Sequence, residues 1–336
     1  MRAYRLCVLA ATLLAFFVVG LGAYVRLNDA GLGCPDWPGC YGHLVGVPDQ
    51  HHEQQAAQQA FPHSPVETGK AWKEMIHRYF AGTLGLLIAA ICVLSWRHRR
   101  ELPYSPVLPT LLVGVVGFQA ALGMWTVTLL LKPAIVTAHL LGGMTTLALL
   151  VVLSSRLHRR ASPPLGTGSA MRLFGLLALL TVLVQIALGG WVSSNYAALA
   201  CVDFPTCNGA LHPDGMAFEH AFHLFRELGQ TASGTELPPA ALLAIHWTHR
   251  VGALLVFLVV GALALRLIRR REWKHWGAAL GLLLLVQVSL GISNVLLSLP
   301  LPLAVAHNLG AALLLSALVA FNLRLYSLAR RRSIFS

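Results

Sequence analysis

Glu74, His77 and Arg78 stand together at the mouth of an apolar run, in the segment Glu74-Met-Ile-His77-Arg78-Tyr-Phe-Ala-Gly82. Glu74 and His77 are three residues apart, so a helix puts them on one face. An ionisable pair entering a membrane span is costly, about 2.5–3.5 kcal/mol for a central Asp on the insertion scale, and therefore marks function. The carboxylate can move protons or stabilise positive charge developing on a substrate carbon. Its alternative is an ion pair with Lys73 or Arg78.

Three more histidines enter apolar runs in the same way. His139 follows Pro133, His249 follows Pro239 and His307 follows Pro302. A single intramembrane histidine can simply hydrogen-bond across helices. Four at one depth, in two related pairs, fit axial ligation of haem iron by histidines facing each other within a bundle. Sites for a bare metal fit less well, because no carboxylate or Cys joins each pair. Arg78 and Arg250 directly follow two of these histidines. They suit haem propionates, or else reach out to the membrane interface.

The chain that must position these residues has 336 residues, 56% hydrophobic and 11% charged, which defines a polytopic membrane protein. Eight apolar runs fall near 4–26, 71–95, 107–130, 133–154, 170–194, 240–265, 276–297 and 302–323. Each is long enough to cross a hydrocarbon core of about 30 Å. The net charge of +12 is unevenly placed. With the amino terminus in the cytoplasm, the tails and the loops near 96–106, 155–172 and 266–275 hold 18 of the 25 basic residues, while 11 of the 13 acidic ones fall on the other side. The positive-inside rule then puts both termini in the cytoplasm, and the basic excess reports topology, not nucleic-acid binding. The first run is read as a helix and not as a signal peptide, because its pattern returns later.

Leu21-Gly22 through Asn28 and Cys34 to Cys40 return as Leu188-Gly189 through Asn195 and Cys201 to Cys207, at an offset of 167. His77-Arg78 returns as His249-Arg250 at 172. Ala138-His139-Leu-Leu-Gly142 returns as Ala306-His307-Asn-Leu-Gly310 at 168. Gln119-Ala-Ala-Leu-Gly123 matches Gln287-Val-Ser-Leu-Gly291, with a third copy at Gln185-Ile-Ala-Leu-Gly189. The repeat predicts an all-α protein of eight transmembrane helices in two pseudo-symmetric four-helix bundles, residues 1–165 and 166–336, joined by a Pro/Gly/Ser-rich linker. The halves differ where Glu74 meets its counterpart His246. A pair of haems that only transfer electrons has no need of a carboxylate beside one of them.

Two long loops of about 45 residues precede the second and sixth spans. Ser64-Pro65-Val66-Glu67 reads as a capping box with proline at the first helical position, and Leu224 to Leu228 as a short interfacial helix. Each loop holds one Cys-x5-Cys pair, Cys34 with Cys40 and Cys201 with Cys207. An oxidising compartment favours a disulfide in each over metal binding, for which the partner ligands are lacking. Cys7 and Cys92 read as small core residues. His43, His51, His52, His63, His212, His220 and His223 lie in the long loops without specific spacing, save that His220 and His223 would share a helix face. His98, His158 and His275 belong to basic loops.

Taken together, the eight spans, the duplication, Glu74-x-x-His77-Arg78, His139, His249-Arg250, His307 and the paired loop cysteines resemble the haem A synthase family over essentially the whole chain. The resemblance implies oxidation of the C8 methyl of haem O, through an alcohol, to the formyl of haem A. It implies haem b on His249 and His307, the substrate haem between His77 and His139, Glu74 as the catalytic carboxylate, and a Cys34–Cys40 disulfide that relays electrons or stabilises the fold. The implied partners are haem O, the lipid bilayer, a haem O-making enzyme, terminal oxidase assembly factors, an electron donor or acceptor that the sequence does not name, and a second copy of the chain; nucleic acid is not among them. The implied place is the bacterial cytoplasmic membrane. Competing readings are a di-haem cytochrome b-type electron-transfer protein or quinol oxidoreductase, and a haem carrier or chaperone.

Overall fold

The computed structural model describes residues 2–102, 104–157 and 169–332, with side chains as far as 326. His158, Arg159, Arg160, the linker through residue 168 with the proposed boundary at 165/166, and the side chains of Arg330, Arg331 and Arg332 lie outside the described residues. Among the described residues ten helices form in chain order: α1 (Arg2–Leu27), α2 (His51–Ala60), α3 (Thr68–Arg97), α4 (Val107–Thr128), α5 (Pro133–Leu157), α6 (Ser169–Ser194), α7 (Phe218–Ala221), α8 (Pro239–Ile268), α9 (Lys274–Leu296) and α10 (Leu301–Arg332). Eight are long and apolar enough to span a membrane, all but α2 and α7. Only isolated bridges, and no strand, occur among the described residues.

In the first half α1 packs on α3, α3 on α4, α4 on α5 and α5 back on α1; α6, α8, α9 and α10 close the same cycle in the second. The halves meet where α10 lies against α1 and α5, and where α5 meets α6. One continuous apolar core runs through both, from Tyr4 and Ile88 to Leu263 and Phe321. Lipid offers helices no hydrophobic reason to associate, so close packing at small residues and interhelical hydrogen bonds must hold them. At Gly175 a Cβ would meet Asn322 Oδ1 at 2.8 Å, and Asn322 Nδ2 donates to the Gly175 carbonyl at 2.9 Å. At the loop end, Arg26 donates to the Ser193 carbonyl (2.6 Å), Thr137 and Ser194 share a hydrogen bond (3.2 Å), and Lys132 pairs with Glu227 (2.7 Å).

Four helices end in one way. A left-handed residue, Asp29, Leu130, Tyr196 or Ser298, follows α1, α4, α6 or α9. The next residue donates back to a carbonyl inside the helix: Ala30 to Val25, Leu131 to Thr126, Ala197 to Val192 and Leu299 to Asn294. This is the Schellman closure, which usually takes Gly at the left-handed position. The turns fall at the sequence offsets 167 and 168.

Two local expectations are corrected. The Ser64–Glu67 capping box does not form, and α3 begins at Thr68. Ser64 N–H closes a turn on Phe61, the Pro65 carbonyl accepts the Tyr41 hydroxyl (2.8 Å), and Glu67 pairs with Lys70 (3.0 Å). The Leu224–Leu228 helix is also absent. A single helical turn lies earlier, at α7, so His220 and His223 share no helix. Arg226 holds its segment out of a helix by donating to Asn195 Oδ1 (2.5 Å) and the Gln230 carbonyl (3.0 Å).

Candidate functional site: four notched histidines and two anchored loops

His77 on α3, His139 on α5, His249 on α8 and His307 on α10 each turn the ring edge into a glycine notch on the helix before. A Cβ built on Gly22 (α1) would lie 3.1 Å from His77 Cε1, and one on Gly123 (α4) 3.2 Å from His139. The values are 3.1 Å for Gly189 (α6) to His249 and 3.0 Å for Gly291 (α9) to His307. His77 and His139 lie within electrostatic range of each other, as do His249 and His307. The four residues are half-buried, yet Nδ1 of His77, His139 and His307 is sealed and has no hydrogen-bond partner. A ring whose edge is fixed in a notch fits a histidine that offers Nε2 to a metal, and such a ligand wants an acceptor for its Nδ1–H. No cluster of three or more His, Cys, Asp or Glu suited to a bare metal ion occurs among the described residues. The donor set therefore fits haem, which supplies its own four nitrogens.

Glu74 lies one turn before Arg78 on α3 and is buried at 5% exposure. Its Oε1 accepts from Arg78 (2.5 Å), and its Oε2 accepts the Cys34 N–H from the first long loop (3.0 Å). Arg78 also donates to the carbonyls of Asp36 (3.1 Å), Pro38 (3.3 Å) and Gly39. Of the two ion pairs considered, only the one with Arg78 is made; Lys73 reaches Asn28 Oδ1 instead (3.0 Å).

His246, 4% exposed, stands in the corresponding place on α8. Cys201 N–H faces its Nδ1 (3.2 Å), and Arg250 Nε faces its Nε2 (3.3 Å). Arg250 donates further to the carbonyls of Asp203 (2.7 Å), Thr206 (2.7 Å) and Cys201 (3.1 Å). The sequence left His246 without a role; here it anchors the second loop. Both arginines, expected near propionates, face loop carbonyls.

Each anchored loop is closed by its disulfide, Cys34–Cys40 or Cys201–Cys207, with Cα atoms 4.7 Å apart in both. An aspartate folds the segment between. Asp36 accepts the N–H groups of Tyr41 (2.6 Å) and Gly42 (2.8 Å). Asp203 accepts those of Asn208 (2.5 Å) and Gly209 (2.9 Å) and the Thr206 hydroxyl. These donors, the Thr206 hydroxyl foremost, hold the Asp203 carboxyl below its ordinary range. Sequence reasoning missed both, although Cys-x-Asp-x-Pro-x-Cys is spelled out twice. Cys7 and Cys92 are free thiols, and His212 packs edge-on against Trp247 with ring centres 5.0 Å apart. His51 and His52 open α2.

Fold and site thus define an integral, multi-pass membrane protein with two histidine pairs under disulfide-closed loops. A family model, that of the COX15-CtaA cytochrome oxidase assembly proteins, matches residues 5–319. The chain belongs to this family, that of the haem A synthases. The heme A synthase of Shewanella oneidensis is 47% identical over 91% of both chains. That of Mesorhizobium japonicum is 30% identical over 93% of this chain and 87% of its own, and that of Bacillus licheniformis 25% identical over 93% and 92%.

Proposed function

We propose that this chain is a haem A synthase that oxidises the C8 methyl of haem O to a formyl group, through an alcohol, with haem b as redox cofactor. His77 and His139 in residues 1–165 take the substrate; His249 and His307 in residues 166–336 hold haem b. Bound haem b supplies one-electron transfer between the substrate and an external electron partner. The observation that carries this reading is that Glu74 and His246 fill equivalent anchoring places, so only the first half places a carboxylate one turn from a ligand histidine.

The chain's own residues do the rest. Arg78 holds the Glu74 carboxyl in place beside His77, where its anion would stabilise positive charge developing on the substrate carbon. A carboxylate has about four acceptor positions, so Glu74 keeps capacity for a proton while bound to Arg78 and Cys34. With water as the oxygen source, conversion of CH3 to CHO gives up four electrons and four protons in two steps; the electrons leave to the external electron partner, and such a base accepts protons. Arg78 and Arg250 set positive charge under the loops, on the side suited to propionates. A substrate with a long isoprenoid tail is lipid-soluble, which suits a membrane-embedded site.

The reading places the protein in a bacterial cytoplasmic membrane, with both termini inside and the disulfide loops outside. Docking of a haem O-making enzyme and of oxidase assembly factors belongs to the same proposal, as does self-association. Its test is extraction of the haems from purified protein and their identification by mass. Haem b together with haem O, the alcohol or haem A is expected. Haem b alone in both halves would make the chain an electron-transfer protein, and release of unaltered haem to an acceptor would make it a carrier.

A further inference from the structure

Three of the four histidines share an accessory that the fourth lacks. Gln119, Gln185 and Gln287 stand four residues before the notch glycines Gly123, Gly189 and Gly291. Gln119 Nε2 donates to the His139 carbonyl (2.6 Å) and Gln185 Nε2 to the His249 carbonyl (2.9 Å). Gln185 Nε2 is also 3.0 Å from His249 Nδ1, and Gln287 Nε2 is 3.4 Å from His307 Nε2. The Oε1 atoms of all three are buried without a partner. Each sits over a glycine three residues past its histidine, Gly142, Gly252 or Gly310, where any Cβ would collide with it. Room has been kept at three places for a carboxamide oxygen that accepts nothing.

We propose that Gln119, Gln185 and Gln287 are positioning residues whose Oε1 accepts the Nδ1–H of His139, His249 and His307, and that His77, lacking such a partner, is the ligand that lets go when substrate and product exchange. The proposal rests on the haem-binding reading above. A histidine that gives Nε2 to iron carries its proton on Nδ1, and that N–H needs an acceptor. Nδ1 of His139 and His307 has none, and the orphaned oxygen lies on a carboxamide whose nitrogen touches the His139 carbonyl or the His307 Nε2. At His249 the carboxamide already faces Nδ1 (3.0 Å), so rotation about the last glutamine torsion, a soft one, puts the oxygen there in exchange for the donation to the His249 carbonyl. At His139 and His307 the imidazole turns as well to present Nδ1. The bond so made is strengthened by the metal's pull on the ring.

Around His77 the device is missing at both of its positions. The offset of 167 that relates Gly22 to Gly189 puts Val18 opposite Gln185. The offset of 172 that relates His77 to His249 puts Phe80 opposite Gly252. Phe80 packs edge-on against Phe17, ring centres 4.9 Å apart. The notch at Gly22 survives, but His77 Nδ1 is sealed without a partner. Loss of such an outer-shell bond typically weakens metal binding about 10–100-fold. A site that must take up one haem and release another is served by one weak ligand, whereas a permanent cofactor is served by two firm ones.

Purified full-length protein with its bound haems tests this. If the parent shows no low-spin haem, the haem-binding reading itself fails. If it does, Q185L should raise the midpoint potential of haem b and Q185E should lower it, since a stronger acceptor stabilises ferric iron. Shifts of the same sign in both, or no shift with the low-spin spectrum intact, would overturn the role of the glutamines. Transfer to apomyoglobin, with the haem that leaves identified by mass, reads the second part. The pair V18Q/F80G should slow loss of substrate haem about tenfold or more, and an unchanged or faster rate would overturn the role of His77. Should that pair fail to accumulate, Q119L must speed the same loss about tenfold, and an unchanged rate refutes the proposal equally.

Discussion

Glu74 and His246 accept the backbone N–H of the first cysteine of their loops, Cys34 and Cys201, and both face an arginine four residues on. They do the same mechanical work with different chemistry. The carboxylate accepts from both donors at once. A neutral imidazole has a single acceptor nitrogen, so His246 can satisfy either Cys201 or Arg250 but not both; its two contacts are correspondingly long, 3.2 and 3.3 Å against 3.0 and 2.5 Å at Glu74. Loop anchoring alone does not require a carboxylate. Its presence in one half only is what the proposed chemistry explains.

That equivalence separates anchoring from chemistry at Glu74. E74H copies the second half and should keep the loop in place, and E74Q keeps size and one acceptor. Both should retain haem while haem A output falls about 10²–10⁴-fold, the range for loss of a proton-transfer group, with haem O or the alcohol accumulating. Mass analysis of the extracted haems checks it; normal haem A output from either variant sinks the catalytic role.

The eight spans were readable because long apolar runs have few other fates, and the duplication was readable because motifs keep their offsets. What stayed hidden depended on contacts distant in sequence or on unusual local chemistry. Helix α2, His-His-Glu-Gln-Gln-Ala-Ala-Gln-Gln-Ala, has no apolar periodicity to betray it; the Glu53 carboxylate holds its start by accepting the Asp49 and Gln50 N–H groups, both at 3.0 Å. The Schellman turns that close α4 and α9 gave no sign because Leu130 and Ser298 fill a place that usually carries glycine. Glu74 and His77 were visible as a pair on one face, but the bond from Glu74 to Cys34 spans 40 residues and no local pattern announces it. The four glycine notches were seen only as repeat markers, since a sequence does not say which ring a glycine admits.

The two arginines should differ in what their loss costs. Arg78 and Glu74 form a buried pair, with side chains 13% and 7% exposed. R78L strands a buried carboxylate and should cost about 3–5 kcal/mol. R250L leaves neutral acceptors without a donor and should cost about 1–3 kcal/mol. Thermal unfolding in detergent, read for each against the parent, should rank R78L below R250L. Equal losses would show that charge adds nothing to the first anchor.

H249A and H307A should each abolish the low-spin haem b spectrum while the protein still accumulates in the membrane. Their notch glycines predict a milder pair. G189A and G291A put a methyl about 3 Å from the ring, so the ring must shift, and the spectrum should broaden or weaken without vanishing. Retention of an unaltered low-spin haem b in H249A or H307A would remove these residues from the ligand set.

Acid should loosen the second loop in a defined direction. The Asp203 carboxyl is held below its ordinary range by the Thr206 hydroxyl and by the Gly209 and Asn208 N–H groups. A depressed folded-state pKa means that the contribution is complete above the unfolded value, about 3.9 for Asp, and is lost as pH falls through the lower folded value. Amide exchange at Asn208 and Gly209 should therefore show constant protection from neutral pH down to about pH 5, and lose it only well below about pH 4. D203A should show at neutral pH the exposure that the parent shows in acid. Protection that declines between pH 7 and 5 would mean that another group, not Asp203, controls this turn.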